Sequence, residues 1–493
     1  MGRRRGGRAG RGLGRDFWLY FSGQAVSQLG SSFTTFALPL LVYRLTGSAT
    51  NLALTTVAEF VPYLLFGLVL GAVVDRVNRR RMMLRADLAR AAVIAVLPVL
   101  SMVGALATWN IYVVAFVQAT LGILFSCGEF AAIPSLVDDQ ELVTANARVL
   151  AANNVGPILG PTIAGALVTF VPVAQLLFFD AGSFLVSVGC LAVIRRSFNA
   201  GTQRAAPAES VVRSLLADVG EGLRYVWGHP VLRSISLMMA LINFVFSTVS
   251  AELVLFAKRA LHASNSEVGF LFACGAAGIV VVSLLAGPIR RRLSFALTSL
   301  GALVVSGLTL TAMALAHSYP AALALWGAST GFGLLLNINT GALRQAIVPP
   351  QLFGRVASVG RVLAWSAIPV GSILGAAAIH ATSVTAVYAV IGVLMAAIAL
   401  TFALSPVAAG DRYLAEAAER QRIGATAPPE WPASPGGGTR RRPGPVARMQ
   451  VRESGAAPGY SPDLQGATGS GARSRRSLPW RASNPRDGSQ PSD

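Results

Sequence analysis

The chain has 493 residues, of which 53% are hydrophobic and only 13% charged, and its mean hydropathy is +0.58. A soluble protein of this length needs more charge on its surface, so the composition excludes a soluble multidomain protein and places the chain in a membrane. The formal charge of +19 is carried almost wholly by arginine, Lys258 being the single lysine, and Cys127, Cys190 and Cys274 lack the spacing of a metal site.

The first stretch, MGRRRGGRAGRGLGRD, is basic and runs straight into an apolar segment too long for a signal-peptide core, so that segment is expected to be an uncleaved spanning helix. Twelve stretches of about 20 apolar residues follow one another, starting near Trp18, Leu52, Met82, Ile111, Thr144, Ala174, Leu232, Val268, Ser294, Ala321, Val356 and Thr385. They are too long for barrel strands, and helices satisfy their own backbone within the hydrocarbon.

With the N-terminus inside, the arginines of 3–15, the 76–81 cluster, Arg195, Arg196, Arg290 to Arg292, Arg344 and Arg355 all fall on the cytoplasmic side. The outer loops then keep only Arg44, Lys258 and Arg259. This asymmetry follows the positive-inside rule and predicts both termini in the cytoplasm.

RVLAANNVGPILG at 148–160 recurs as RVLAWSAIPVGSILG at 361–375, and GAVVDRVNRRR at 71–81 has a looser counterpart in AGPIRRRLSF at 286–295. Two repeats of six helices in the same order are parallel, related by an axis along the membrane normal. The predicted fold is therefore an all-α membrane protein of twelve transmembrane helices in two six-helix repeats. Its parts are a basic cytoplasmic N-terminus (1–16), an N-terminal bundle (17–195), a cytoplasmic linker with an amphipathic helix (196–231), a C-terminal bundle (232–405) and a tail (406–493). The linker helix should present Val212, Leu215, Leu216, Val219, Leu223 and Trp227 on one face. The tail beyond a short helix, RYLAEAAERQR, is rich in Pro, Gly, Ser and Arg, and its composition predicts disorder.

Charged and polar residues inside such a chain carry the functional expectations. The loop 71–81 holds Gly71, Asp75, Arg76, Arg79 and Arg80; arginines alone would fix topology, and Asp75 adds either a tempering charge or a partner for exchangeable ion pairs. Gly156, Pro157, Gly160, Pro161 and Gly165 strip side chains from one helix face, which suits either close packing or sliding. Gln24, Ser27, Gln28 and Ser31 share a face of the first helix and point either to a central cavity or to a neighbouring helix, with Asn153, Asn154, Asn337 and Asn339 as further cavity amides. An apolar cavity with scattered amides suits an amphiphilic organic molecule. Glu59 lies deep in the second helix without a sequence neighbour of opposite charge and is the candidate for proton coupling, while Glu129 and Glu252 fall near helix ends where headgroups or water would meet them. Asp87 and Arg90 form an i, i+3 pair.

On these residues the chain resembles the major facilitator superfamily over about 17–405: Gly71, Asp75, Arg76, Arg79 and Arg80 match its loop signature G-x-x-x-D-R-x-x-R-R, and GPILGPTIAG resembles the helix-5 signature of drug antiporters. LVYRLTGSATNLAL, EGLRYVWGHPVLR and RQAIVPPQLFGRVAS are similar to the branch of enterobactin and macrolide exporters. The resemblance implies a monomeric secondary transporter in a bacterial cell membrane, exporting a small molecule by alternating access against a proton gradient, with the loop 71–81 latching the two halves. It implies no cofactor, metal or nucleic-acid partner and no enzymatic reaction. The rival classes are an uptake facilitator and a non-transporting receptor or scaffold on the same fold. Two departures stand out: Gln118 where helix 4 of proton-coupled relatives carries arginine, and Gly30-Ser31 where the branch carries an aspartate. No phosphate-cradling glycine loop with a following lysine is present, which excludes an ATP-driven pump.

Overall fold

The computed structural model describes residues 13–422 except 75–76, 197 and 199–207; at 68–74, 130–131, 139, 143, 150–151, 153–154, 158, 208–216, 218, 350–351 and 420–422 it describes the backbone alone. The basic residues 1–12, Asp75, Arg76, much of the linker before 208 and the tail from 423 lie outside the described residues, as do the side chains of Asn153 and Asn154. The described part is helical throughout, and no strand occurs in it.

Helices α1 (Arg15–Thr46), α2 (Ala49–Val74), α3 (Arg79–Met102), α4 (Thr108–Leu136), α5 (Leu142–Leu167) and α6 (Leu177–Val193) make the first six long segments. After α7 (Ala208–Gly228), the second six are α8 (Pro230–Ala251), α10 (Asn265–Arg292), α11 (Phe295–Ala314), α12 (Tyr319–Ile347), α13 (Pro350–Ala381) and α14 (Val384–Ala403). The short α9 (Leu253–Arg259) continues α8 after a break, and α15 (Gly410–Arg422) closes the described chain.

Among the described residues ten helices are long and apolar enough to cross a membrane. α3 misses that mark because Arg79, Arg80, Arg81, Arg85, Asp87 and Arg90 crowd its first half, and α5 because its first half is polar. Leucines such as Leu284 and Leu308 face outward, which lipid tolerates and water would not.

Among the described residues four α-helix starts carry a side-chain cap. The Asn78 side chain accepts from the Arg81 N–H, Ser264 and Glu267 form a capping box on α10, and Ser294 and Ser383 cap α11 and α14. Gly47 ends α1 in the left-handed region at φ 58°, where a side chain would be strained.

The two halves repeat each other's packing. α1 packs on α5 and α6, α2 on α4, and α3 on α4 and α6; correspondingly α8 packs on α13 and α14, α10 on α12, and α11 on α12 and α14. The repeat holds at single residues. A β-carbon on Gly156 would lie 2.9 Å from the Gln28 side chain, and one on Gly160 would run into Ser32; in the second half Gly371 and Gly375 meet Phe244 and Thr248 of α8 in the same way. The recurring G-x-x-x-G thus lets α5 and α13 lie against α1 and α8 at backbone distance. The halves themselves meet along two seams, α2 with α13 and α5 with α10.

α7 seats on α13 through Gly222 and Val226, and Glu221 pairs with Arg355 there. Leu223 and Trp227, expected on the helix's apolar face, stay exposed because the small Gly222 is what permits the close approach. α15 is tied down by Asp411, which accepts from Arg290 and from the Phe295 N–H at 2.7 Å each.

Candidate transport pathway

Both seams are closed at the end of the bundle remote from the start of α1, here called the distal end. There the Arg259 guanidinium donates to the Gly47 carbonyl at 2.6 Å, His380 Nε2 and Thr50 Oγ1 lie 3.0 Å apart, and Phe36 meets Phe272 edge-on. On the α5–α10 seam a β-carbon on Gly165 would lie 2.6 Å from the Gly269 Cα, so two backbones touch directly. A cavity of about 380 Å³ sits beside the α2–α13 seam, lined by Arg259, His380, Thr382 and Ser383 among others.

Midway along the α2–α13 seam lies an aromatic group. Trp365 packs edge-on to Phe60 and Tyr63 with ring centroids 6.1 and 5.1 Å away, and Arg361 lies over the Trp365 ring at 5.6 Å. Glu59, one residue before Phe60 and one turn before Tyr63, is half-buried and makes no hydrogen bond or ion pair among the described residues. Proline at position 62 interrupts the α2 ladder within this stretch.

Beside this seam the first half carries a buried polar network. Asp87 accepts from Ser187 at 2.6 Å, Gln24 donates to the same serine at 3.2 Å, and Arg90 lies 3.5 Å from Asp87 and over the Phe184 ring at 4.0 Å. The Gln118 amide exchanges bonds with Arg90, accepting from its Nε and donating to its carbonyl. One turn away Asp180 accepts from Ser31, Thr34 and Ser183, and packs over Gly30. The charges absent from the helix-4 and helix-1 positions are therefore present at the same level of the bundle, brought in by α3 and α6.

The sequence-based candidates fall into place unevenly. Gln24 and Ser31 are committed to α6, Ser27 is buried and Gln28 faces Gly156, so the polar stripe of α1 serves the α1–α5–α6 packing. Of the glycine and proline set, Gly156, Gly160 and Pro161 are buried, Pro157 is exposed, and Gly165 with the Pro161 carbonyl reaches Gly269 of the opposite half. Asn337 is exposed and donates to the Gly333 carbonyl of its own helix, while Asn339 is buried and its amide nitrogen has no partner.

In the loop, Gly71 lies in the last turn of α2. Arg79 donates to the Phe198 carbonyl, and Arg80 donates to the Leu191 and Ala192 carbonyls at the end of α6. The Arg80 bonds are charge-assisted bonds to the negative end of a helix in the same half.

One expectation is corrected: Glu252 is fully buried rather than at a wet helix end, a change that arises from tertiary packing that periodicity does not encode. Glu129 is half-buried and accepts from the buried Tyr20 hydroxyl at 2.6 Å. Tyr63, Trp365 and His380 were not singled out for the site; the only sequence signal for Trp365 was its place four residues after Arg361 in the repeated segment.

Residues 15–425 match the model of a family described as transmembrane secretion effector. The multidrug efflux pump Tap of Mycolicibacterium fortuitum is 30% identical over 367 residues, covering 72% of this chain and 88% of that protein. The macrolide efflux protein A of Streptococcus pyogenes is 25% identical over 371 residues, covering 73% and 88%. Among solved structures, a bacterial homologue of the lysosomal transporter Spinster aligns with TM-score 0.61 at 15% identity over 82% of this chain and 97% of that one. A POT family transporter aligns with TM-score 0.64 at 13% identity over 81% and 97%. Sequence, packing pattern and these matches agree: the chain is a multi-pass membrane transporter belonging to the transmembrane secretion effector family of the major facilitator superfamily.

Proposed function

We propose that this transporter exports small amphiphilic organic molecules from a bacterial cell by alternating access, working as a monomer driven by a proton gradient, with the distal end outside and both termini in the cytoplasm. The observation that carries the reading is the α2–α13 seam, where the unpartnered Glu59 stands beside Phe60, Tyr63 and Trp365. This is one of the two seams along which the bundles 17–195 and 232–405 must move as they rock against each other. An aromatic surface with one carboxyl group fits an apolar molecule bearing a basic or polar group. An intramembrane carboxyl without a fixed partner is suited to exchange a proton as its surroundings alternate between wet and dry.

The efflux pumps among its relatives support the outward direction. Asp75, Arg76, Arg79 and Arg80 latch the cytoplasmic side in the opposite state. In the state described, Arg79 and Arg80 rest on the carbonyls at and beyond the end of α6, from which they would have to turn.

The test is intracellular accumulation of macrolides, dyes and siderophore-like compounds in an efflux-deficient bacterium expressing the chain. Lower accumulation that a protonophore abolishes, and that Glu59→Gln and Asp75→Asn each reduce by roughly tenfold or more, is the expected result. Unchanged accumulation of every compound, with the protein present in the membrane, counts against export; protonophore-insensitive export counts against proton drive.

A further inference from the structure

Glu252 stands at the break between α8 and α9, where the backbone leaves the helix at φ −102° and ψ 10°. Its side chain is fully buried and neither carboxyl oxygen has a hydrogen-bond partner. Leu253 to Ala257 are all buried around it, and Phe256 stacks on Tyr388 of α14 at 4.5 Å. The ionisable groups on the packed elements are spoken for or remote. The Tyr388 hydroxyl donates to the Val249 carbonyl, Lys258 to the Ala263 carbonyl and Arg259 to the Gly47 carbonyl; His380 on α13 pairs with Thr50, Glu267 on α10 caps its own helix, and α8 adds no charge over its last two turns. On α1 the charge near this level is Arg44, in the last turn of an exposed end. Burial without a partner strongly disfavours a charged carboxylate, so the packed arrangement holds the neutral acid.

The location gives this a consequence. α9 belongs to the second half but packs against α1 of the first, and its last residue, Arg259, makes the clasp to Gly47. A seven-residue helix hung from a break is a lever, and Glu252 is at its fulcrum.

We propose that Glu252 is a proton-binding site that gates the distal end: the carboxyl takes up one proton from the distal water as α9 closes on α1, and returns it when α9 lifts away. The inference deepens the alternating-access reading and rests on it, but it concerns a site separate from Glu59 and requires no substrate. Low pH on the distal side favours closure, and removal of the titrating group uncouples the gate from pH.

The test is a distance measured by double electron–electron resonance between spin labels at Ser48→Cys and Ala260→Cys, in a chain with its three cysteines replaced and reconstituted in liposomes. With Glu252 intact, the ratio of wide to narrow distances should rise with pH, by up to about tenfold per unit, the limit for one linked proton. Glu252→Gln should remain narrow at every pH. Glu252→Leu should do the same and takes its place if the glutamine variant does not reach the membrane. A pH response in either neutral variant equal to that of the parent, or none in the parent, overturns the proposal. Because the readout is a distance, a chain that gates normally yet lowers no compound's accumulation would sink the export reading and leave this one standing.

Discussion

At the scale of single residues, the interior of the first half is governed by the cost of charge in a dry place. Asp87 is fully buried, and what permits it is the Ser187 hydroxyl and the Arg90 guanidinium, which is itself stacked on Phe184 and bonded to Gln118. Removing one partner is worse than removing both. Arg90→Ala should destabilise the detergent-purified protein by about 3–5 kcal/mol, read as a fall in its thermal midpoint, because Asp87 is left buried and unpaired. Arg90→Gln combined with Asp87→Asn should recover a large part of that loss. If the double variant is no more stable than Arg90→Ala, the pair is not what holds this region. The i, i+3 spacing made the Asp87–Arg90 pair visible in the sequence, whereas Ser187 and Gln118 are 100 and 28 residues away and join only through packing.

At the scale of elements, helix positions were legible and helix faces were not. Twelve apolar stretches and a repeated G-x-x-x-G announced α1 to α6, α8 and α10 to α14, since length and hydropathy are set by the bilayer and small residues by close helix contact. The polar stripe of α1 shows the gap. Periodicity places Gln24, Ser27, Gln28 and Ser31 on one face, but whether that face meets a cavity or α6 depends on how six helices are arranged. Glu252 shows it again, because a residue at the end of an apolar run reads as exposed until α9 folds over it.

α15 allows a direct test of an element. Burial raises the Asp411 carboxyl, but the Arg290 guanidinium and the Phe295 N–H outweigh this and hold it below the usual carboxylate range. A depressed carboxyl stabilises above its unfolded value, about 3.9, and loses that contribution as pH falls through the folded value. The pair is partly exposed, so the contribution is at most about 1 kcal/mol. The protection factors of the amides over 410–422, taken relative to the intrinsic exchange rate at each pH, should therefore fall in acid for the parent chain and already at neutral pH for Asp411→Asn. Equal exchange in the two at neutral pH would show that Asp411 does not dock α15.

At the scale of the whole molecule, the two halves are held at the distal end by few bonds, so the state described is a reversible one. Thr50→Cys with His380→Cys should form a disulfide on mild oxidation that stops transport, and a reductant should restore it. Transport that continues through full cross-linking would mean that the distal end does not open in the working cycle.

The two seams are related by the internal repeat, yet they close differently. Gly165 against Gly269 presents only shape, with no bond between side chains, while the matching place on the other seam is bridged by His380 and Thr50. A contact of two bare backbones can roll without breaking anything, and a hydrogen-bonded one must release. The distal end is then hinged on one side like a book, with α5 and α10 as the spine and α2 and α13 as the free margins. In the export cycle proposed above, a molecule leaving the protein would pass the margin on which Glu59, Tyr63 and Trp365 stand.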